Sequence, residues 1–264
     1  MDKISKALEL ARKSQSRRPS AGRWQAQSVN GIAYTHTRSV ALDPQHLRDN
    51  LIIGGIEDKR VIGAYKLLRT RVLQRMQQNN WKTLGITSTA ENEGKTLTAI
   101  NLAITIALKQ NYTVVLVDAD LRRPSIHKNL GFVPELGLID YLESDAAIED
   151  ILVHPNIDRL VVLPGNDSTH DASELLASPK MAHLVEDLKL RYTSRLVLFD
   201  LPPVHVADDV LAFAPHLDTA MLVLEDGRSR SDLFAKAIEL LEGTEIIGAV
   251  LNKSTEPGSS HDYY

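Results

Sequence analysis

The chain has 264 residues, of which 43% are hydrophobic and 24% charged, a composition typical of one large globular domain with an extension or of two modest domains. It contains no cysteine, which excludes disulfides, thiolate metal sites and a cysteine nucleophile. The formal net charge of −4 is uneven, because residues 1–50 hold nine Lys and Arg against four Asp and Glu, and the remainder holds 21 against 30. A basic N-terminal segment on an otherwise acidic chain suits contact with an anionic membrane face or an acidic partner, and the alternative is a solvated segment without a partner. No nucleic-acid partner is expected.

The first 50 residues are predicted to form a basic amphipathic helix and a flexible linker. Apolar residues recur at helical spacing within residues 2–13, whereas residues 14–45 show no sustained period and offer no candidate core. The apolar helix face consists of Ile4, Ala7, Leu8 and Ala11. No apolar run approaches the roughly 20 residues that span a bilayer, and the N-terminus lacks the apolar core of a secretory signal. We therefore expect a cytoplasmic protein.

From about Trp81 onwards, short β-rich runs alternate with helical stretches. Most of these runs are apolar almost throughout, which is typical of strands that are buried on both faces. The predicted strands are 83–87, 113–117, 159–163, 195–199, 219–224 and 245–251. The predicted helices are 61–76, 96–109, 138–143, 179–190, 207–214 and 231–242. This alternation predicts an α/β domain over residues 51–253, with a mainly parallel, doubly wound sheet that is flanked by helices and binds ligands at the carboxyl ends of its strands.

A candidate phosphate-binding loop follows the first of these strands. Its core is Gly94-Lys95-Thr96, which opens a predicted helix. In such loops glycine lets the backbone approach the anion, amides and the helix N-terminus hold it, lysine reaches the outer phosphates, and Ser or Thr ligates Mg²⁺. The first position of the full motif, normally glycine, is Thr89, so the match is incomplete. We expect Lys95 to lie on an exposed loop.

Two further strand ends carry carboxylates. Asp118 and Asp120 follow one apolar strand, and Asp200 follows another. Acids at such positions beside a phosphate loop hold Mg²⁺ or accept a proton from an attacking hydroxyl. Each acid alone is also explained by a solvated turn or a helix cap. The loop and the acids together predict a Mg²⁺-nucleotide site.

Five segments resemble the bacterial tyrosine kinases, the autophosphorylating P-loop kinases of capsule and exopolysaccharide assembly. They are GKTLTAINLA (94–103), VVLVDADLRRPSIHKNLG (114–131), GLIDYL (137–142), SELLASPKM (173–181) and FDLPPV (199–204). Two upstream segments, MDKISKALELAR and AYKLLRTRVLQRM, are similar to the N-terminal and pre-domain helices of the exopolysaccharide, exosortase-associated branch. The related partitioning ATPases carry an extra lysine near the start of the loop, where this chain has Ala90, and this favours the kinase branch.

The resemblance implies a Mg²⁺- and ATP-dependent protein-tyrosine autokinase with defined site residues. The implied nucleotide-binding residues are Ala90, Asn92, Glu93, Gly94, Lys95, Thr96, Leu97 and Asn252. The implied metal residues are Thr96, Asp118 and Asp200, and the implied catalytic residues are Lys95, Asp118 and Asp120. For Asn252, contact with adenine and a structural cap are equally open. The resemblance also implies an activating partner, a membrane-embedded polysaccharide chain-length-control protein that would hold the kinase peripherally at the inner membrane, and a homo-oligomer.

The chain departs from the family pattern at the loop and at the oligomerisation motif. Glu91 and Asn92 replace the usual Pro-Gly. Asparagine tolerates a left-handed backbone there, but Glu91 brings a negative charge near the phosphates. The motif Glu-x-x-Arg-x-x-Arg is replaced by Gly63, Lys66 and Arg69, and a lysine is a point charge rather than a forked donor. Ring assembly is therefore an open question.

The end of the sequence is predicted to be a flexible tail, residues 254–264, with Tyr263 and Tyr264 as phosphoacceptors. When extended, such a tail spans roughly 35 Å and can reach a neighbouring active site, whereas a solvated end without function is the alternative. The kinase hypothesis places this activity in the regulation of exopolysaccharide or capsule synthesis and export. The alternative function is a catalytically weak ATP-binding switch that regulates a membrane polysaccharide complex without tyrosine phosphorylation.

Overall fold

The computed structural model describes residues 37–254, with the exception of residues 110, 192, 193 and 207. Its strands are β1 (Arg38–Ser39), β2 (Thr83–Ser88), β3 (Thr113–Asp118), β4 (Val153–His154), β5 (Leu160–Leu163), β6 (Arg195–Asp200), β7 (Thr219–Glu225) and β8 (Ile246–Asn252). Its helices are α1 (Pro44–Asp49), α2 (Lys59–Asn79), α3 (Lys95–Ala107), α4 (Ile126–Leu130), α5 (Leu138–Glu143), α6 (Ile148–Ile151), α7 (Ala172–Leu176), α8 (Pro179–Leu190), α9 (Asp209–Phe213) and α10 (Ser231–Leu240).

The strands form one sheet in the order β1-β4-β5-β3-β6-β2-β7-β8. Every neighbouring pair is parallel except β4 and β5. The central strands β3, β6 and β2 are buried over their whole length, which explains why β3 and β6 are apolar without alternation between their first and last residues. The predicted α/β fold, a mainly parallel sheet flanked by helices, is confirmed.

Helices cover both faces of the sheet and give two hydrophobic cores. On β3, Val114 and Leu116 face the first core, while Val115 and Val117 face the second, because side chains alternate along a strand. Helices α2 and α3 pack on the first core, and α8 and α10 on the second. Leu102 of α3 is fully buried in the first core, and its truncation to alanine would cost about 2–5 kcal/mol. The start of α3 is therefore held firmly beside the strand ends.

The longest helix of the described region is α2, with 21 residues. Its N-cap is Asp58, whose carboxylate accepts a hydrogen bond from the amide of Arg60 at 2.8 Å, and its C-cap is Asn80 in the left-handed conformation. These caps satisfy backbone groups that the helix ends leave free. Within the described ranges, neither α2 nor any other helix is long and apolar enough to cross a membrane.

The segment before α2 takes part in the fold. The sequence predicts a linker without core residues as far as residue 45, and for the described part of it this is wrong. Strand β1 pairs with β4, and the amide of Val40 donates to the carbonyl of His154 at 2.9 Å. Val40 and Leu42 are partly buried and pack against the first core, in which Leu47 on α1 is buried as well. Elements of two and six residues are too short to show a hydrophobic period. Residues 1–36, with the predicted amphipathic helix, lie outside the described residues.

Candidate nucleotide-binding site

Residues 89–94 form a loop that joins the carboxyl end of β2 to the start of α3. Asn92 and Gly94 adopt left-handed backbone conformations, with φ angles of 64° and 93°. Asparagine is one of the few residues besides glycine that tolerate this conformation, so the expectation for Asn92 is confirmed. A Cβ atom at Gly94 would collide with the side-chain amide of Asn252. The glycine therefore allows a close approach that no other residue permits.

The buried Glu93 side chain accepts hydrogen bonds from the first half of this loop and so fixes its conformation. Its carboxylate accepts hydrogen bonds from the amides of Thr89 (2.7 Å) and Ala90 (2.9 Å) and from the Thr89 hydroxyl (2.9 Å). The hydroxyl of Ser229 also donates to it. This network accounts for a buried threonine at the position where the motif normally has glycine. The sequence implies Ala90 and Glu93 as nucleotide-binding residues, but the Ala90 amide and the Glu93 side chain are engaged with each other.

Lys95, Thr96, Asp120 and Asp200 form a buried cluster at the start of α3. Lys95 Nζ donates to Asp120 Oδ2 at 2.7 Å and lies 3.5 Å from Asp200 Oδ1. Thr96 Oγ1 donates to Asp200 Oδ2 at 2.6 Å. The Lys95 side chain is 12% exposed, so the expectation that Lys95 lies on an exposed loop is wrong. It is the first residue of α3, and its side chain turns towards the acids at the strand ends.

Burial alters the titration of this cluster. Asp118 and Asp200 are direct neighbours across β3 and β6, and both are fully buried. Burial, and after it the charge of Asp200, raises the pKa of Asp118 to about 8. Burial also raises the pKa of Asp200, although Lys95 opposes this. For Lys95, burial alone would lower the pKa, but Asp200 and Asp120 outweigh it and raise the pKa above its ordinary value. Lys95 is therefore charged at any physiological pH.

The carboxylate of Asp118 has one satisfied oxygen and one oxygen without a partner. Its Oδ2 atom accepts hydrogen bonds from the amides of Ser125 (2.9 Å) and Ile126 (2.8 Å). Its Oδ1 atom is buried and has no hydrogen-bond partner among the described residues. Such an oxygen suits a hard cation. In residues 37–254, as far as they are described, no three His, Asp or Glu side chains form a metal cage. Mg²⁺ needs none, because it commonly takes one or two carboxylates and phosphate oxygens, and Thr96, Asp118 and Asp200 fit this role.

The end of β8 contacts the loop from outside. Asn252 Nδ2 donates to the carbonyl oxygen of Glu93 at 2.9 Å, so this side chain is engaged with the loop backbone. Lys253 Nζ donates to the carbonyl oxygen of Asn92 at 2.6 Å and pairs with Glu225 Oε2 at 3.0 Å. The sequence does not single out Lys253, because its role depends on the register of β7 against β8.

Two arginines tether the segment that follows Asp120. Arg123 Nη1 lies 2.6 Å from Glu91 Oε2, so the negative charge that the sequence places near the phosphates is paired. Arg122 makes a two-pronged contact with Asp209 on α9, with Nε and Nη2 donating at 2.8 and 2.9 Å. These contacts link the acidic strand end to the loop on one side and to α9 on the other. Sequence reasoning missed both pairs, since their partners are distant along the chain.

Other residues predicted from the sequence do not join the cluster. Leu97 belongs to α3 and packs, partly buried, against the first core. At the oligomerisation motif, Arg69 Nη1 donates to the carbonyl oxygen of Thr105 at 3.2 Å and so ties α2 to α3. Tyr263 and Tyr264 lie outside the described residues.

A parallel sheet that carries a Gly-Lys-Thr loop and two strand-terminal acids at its carboxyl edge defines a P-loop nucleotide-binding domain. Residues 84–262 match the family model of the CobQ/CobB/MinD/ParA nucleotide binding domain. The chain is 31% identical over 203 residues to the tyrosine-protein kinase YwqD of Bacillus subtilis, a match that covers 76% of this chain and 84% of that protein. The chain thus belongs to the bacterial tyrosine kinases within this nucleotide-binding family.

Two further comparisons extend this result. The chain is 31% identical over 189 residues to the succinoglycan biosynthesis transport protein ExoP of Rhizobium meliloti, a match that covers 69% of this chain but only 24% of ExoP. Among solved structures, the kinase domain of the Escherichia coli tyrosine kinase ETK has a TM-score of 0.68 at 28% identity, and covers 77% of this chain and 80% of that one. The described fold is therefore that of a kinase domain of this family.

Proposed function

We propose that this protein is a Mg²⁺- and ATP-dependent tyrosine kinase that phosphorylates its own tail and regulates exopolysaccharide or capsule synthesis and export. One observation carries the proposal: Lys95, Thr96, Asp120 and Asp200 meet in one buried cluster, next to an oxygen of Asp118 that has no partner among the described residues. The names of the relatives YwqD and ETK support tyrosine as the acceptor.

The start of α3 supplies the site for the phosphates of ATP. Its N-terminus carries a partial positive charge, and its free amides point away from the helix. Lys95, which Asp120 and Asp200 hold at this end, adds a full charge that reaches the outer phosphates. Thr96, Asp118 and Asp200 would hold Mg²⁺. When bound, Mg²⁺ neutralises charge on the phosphate oxygens and orients the transferring phosphoryl group.

As the alternative to its role as a Mg²⁺ ligand, Asp118 is the proposed acceptor for the proton of the tyrosine hydroxyl, because its Oδ1 atom, unlike its Oδ2 atom, has no hydrogen-bond partner among the described residues. A phenol has a pKa of about 10 and is neutral at pH 7, so its proton must leave as the new bond forms. The phenolic oxygen bonds to the γ-phosphorus, the bond between that phosphorus and the leaving oxygen of ADP breaks, and the proton passes to the Asp118 carboxylate. Burial raises the pKa of Asp118 to about 8, so its deprotonated form is a stronger base than an ordinary carboxylate. Asp120 assists by fixing Lys95.

The proposed substrate is the tail that carries Tyr263 and Tyr264. The last described residues before it, Asn252 and Lys253, contact the phosphate-binding loop, so the tail starts beside the proposed site. The ten residues 255–264 span roughly 30–35 Å when extended. This length allows the tyrosines to reach the active site of a second copy of the chain.

The proposed activator is a membrane-embedded protein that controls polysaccharide chain length. The matched region makes up 24% of ExoP, a transport protein of succinoglycan biosynthesis, so in that relative a kinase-like unit is joined to a much longer chain. For the present chain we propose a separate partner, for which the basic residues 1–50 offer a contact with an acidic segment or an anionic membrane face. Assembly of several copies around this partner is part of the same proposal.

Mass spectrometry of the purified protein after incubation with Mg²⁺-ATP tests this function. We expect phosphate on the peptide with Tyr263 and Tyr264 in the wild type. The matched control is Asp118→Asn, which keeps the shape of the side chain but removes its carboxylate. If the wild type binds ATP and its tail stays unmodified even with the partner's cytoplasmic segment present, the ATP-binding switch replaces the kinase as the best hypothesis.

A further inference from the structure

Two side chains at the end of β8 hold two consecutive carbonyl groups of the phosphate-binding loop. Lys253 donates to the carbonyl of Asn92, and Asn252 donates to the carbonyl of Glu93. Lys253 is in turn held by Glu225 on β7, and this hydrogen bond lowers the pKa of Glu225, so Glu225 stays ionised. The side of the loop that carries these two carbonyl groups, called its outer side below, is therefore attached to the last two strands of the sheet.

This attachment determines where the loop amides point. In a trans peptide group the C=O and N–H bonds point in opposite directions. A fixed carbonyl at Asn92 therefore directs the amide of Glu93 to the other side of the loop, and a fixed carbonyl at Glu93 does the same for Gly94. Among the described residues, neither these two amides nor that of Lys95 donates a hydrogen bond. They are the amides with which such a loop binds phosphate.

The backbone at this contact is in an uncommon conformation on both sides. Asn92 and Lys253 both have positive φ angles, 64° and 57°, a region that costs a residue with a side chain about 1–2 kcal/mol. Such conformations persist where the surrounding structure holds them, and they cluster at functional sites. At Gly94, moreover, the side-chain amide of Asn252 fills the space that a Cβ would need. The loop conformation and the end of β8 thus depend on each other.

We propose that Asn252 and Lys253 are positioning residues, which orient the amides of Glu93 and Gly94 for the phosphates of the nucleotide before it binds. This inference rests on the proposed function and deepens it. Asn252 acts on the phosphates through the loop backbone and not on the adenine base. Lys253 acts from the outer side of the loop, so its charge is not the one that meets the phosphates; Lys95 supplies that charge.

The experiment compares two probes, Mg²⁺-ATP and inorganic tripolyphosphate with Mg²⁺, by calorimetric titration of the full chain. Lys253→Met and Asn252→Ala each remove one hydrogen bond to the loop, and we expect each to weaken the binding of both probes by about tenfold. Lys253→Arg keeps a charged donor and should retain most of the affinity. The matched control is Lys236→Met, at an exposed position on α10, which removes the same charge and should change neither affinity.

The outcomes separate this inference from the proposed function. A loss of ATP affinity in Asn252→Ala without any loss of tripolyphosphate affinity would place Asn252 at the base and overturn the inference. Variants that bind both probes as tightly as the wild type would overturn it too. An unchanged midpoint of thermal unfolding in each variant excludes a general loss of structure. The Lys253 side chain is 45% exposed, so the fold should tolerate its loss. A wild type that binds neither probe would refute the nucleotide site itself, and the inference with it.

Discussion

Replacement of Lys95 by methionine tests whether the buried cluster supports both stability and nucleotide binding. Methionine keeps most of the length of the side chain but removes the charge that lies 2.7 Å from Asp120 and 3.5 Å from Asp200. The side chains of Lys95, Asp120 and Asp200 are only 12%, 7% and 0% exposed. Removal of one partner from such a buried ion pair costs about 3–5 kcal/mol, since the remaining charge is left uncompensated. For a domain of this size, a loss of about 3 kcal/mol lowers the melting temperature by about 6–12 °C.

Urea and thermal unfolding at pH 8 measure this loss, and calorimetric titration with Mg²⁺-ATP measures binding, which we expect to be abolished. Burial already raises the pKa of Asp200, and the loss of Lys95 raises it further. At pH 5 that carboxylate takes up a proton more readily, so the difference from the wild type should be smaller there. The double variant Lys95→Met/Asp120→Asn removes an unpaired charge and should regain stability without regaining ATP binding. A Lys95→Met protein as stable as the wild type at pH 8 would refute the reasoning.

Three further outcomes are expected. Alanine at Asp118 or Asp200 should reduce phosphoryl transfer at least about 100-fold but change ATP affinity less, because both carboxylates act mainly in the transition state; steady-state kinetics that show full activity in Asp118→Ala would exclude it as the proton acceptor. The pKa of Asp118 is raised from 3.8 to about 8, so without metal its contribution to stability is fully present below pH 3.8 and is lost as the pH rises through about 8. Mg²⁺ should therefore raise the melting temperature more at pH 9 than at pH 6, and equal increases would contradict the metal assignment. Finally, the Tyr263→Phe/Tyr264→Phe variant should bind ATP like the wild type yet show no phosphate on its tail by mass spectrometry. Phosphate on the tail peptide of this variant would show that another residue of the tail is the acceptor.

The site could be predicted from the sequence where the signal is local. Gly94-Lys95-Thr96 comes shortly after a strand and opens a helix, and Asp118 and Asp200 each end an apolar strand. Parallel strands then bring these ends to one edge of the sheet, so that no knowledge of long-range contacts is needed. The start of α8 can also be predicted from a local signal, because Ser178 caps the helix and Pro179 occupies its first position.

The rest of the site depends on contacts that no local pattern encodes. Lys253 reaches the loop only because β8 pairs with β7 in one register. Arg123 meets Glu91 only because the segment after β3 returns to the loop. The burial of Lys95 was missed for the same reason: a lysine next to glycine is typical of an exposed loop, and only the neighbouring acids make its burial favourable. The short elements β1, β4 and α6 were missed because they have too few residues to show a period.

The order of the strands has a consequence for the synthesis of this protein. Strand β2, which leads into the phosphate-binding loop, lies in the sheet between β6 and β7, and its register sets Thr83 beside Val197. Because a chain emerges from the ribosome N-terminus first, β2 and α3 are exposed long before the strands that enclose β2 exist. Asn252 and Lys253, which hold the loop from outside, are made later still. Under the role proposed for Asn252 and Lys253, the nascent chain gains full nucleotide affinity only when β8 has emerged, and until β6 and β7 follow, both edges of β2 are open to pairing with another chain.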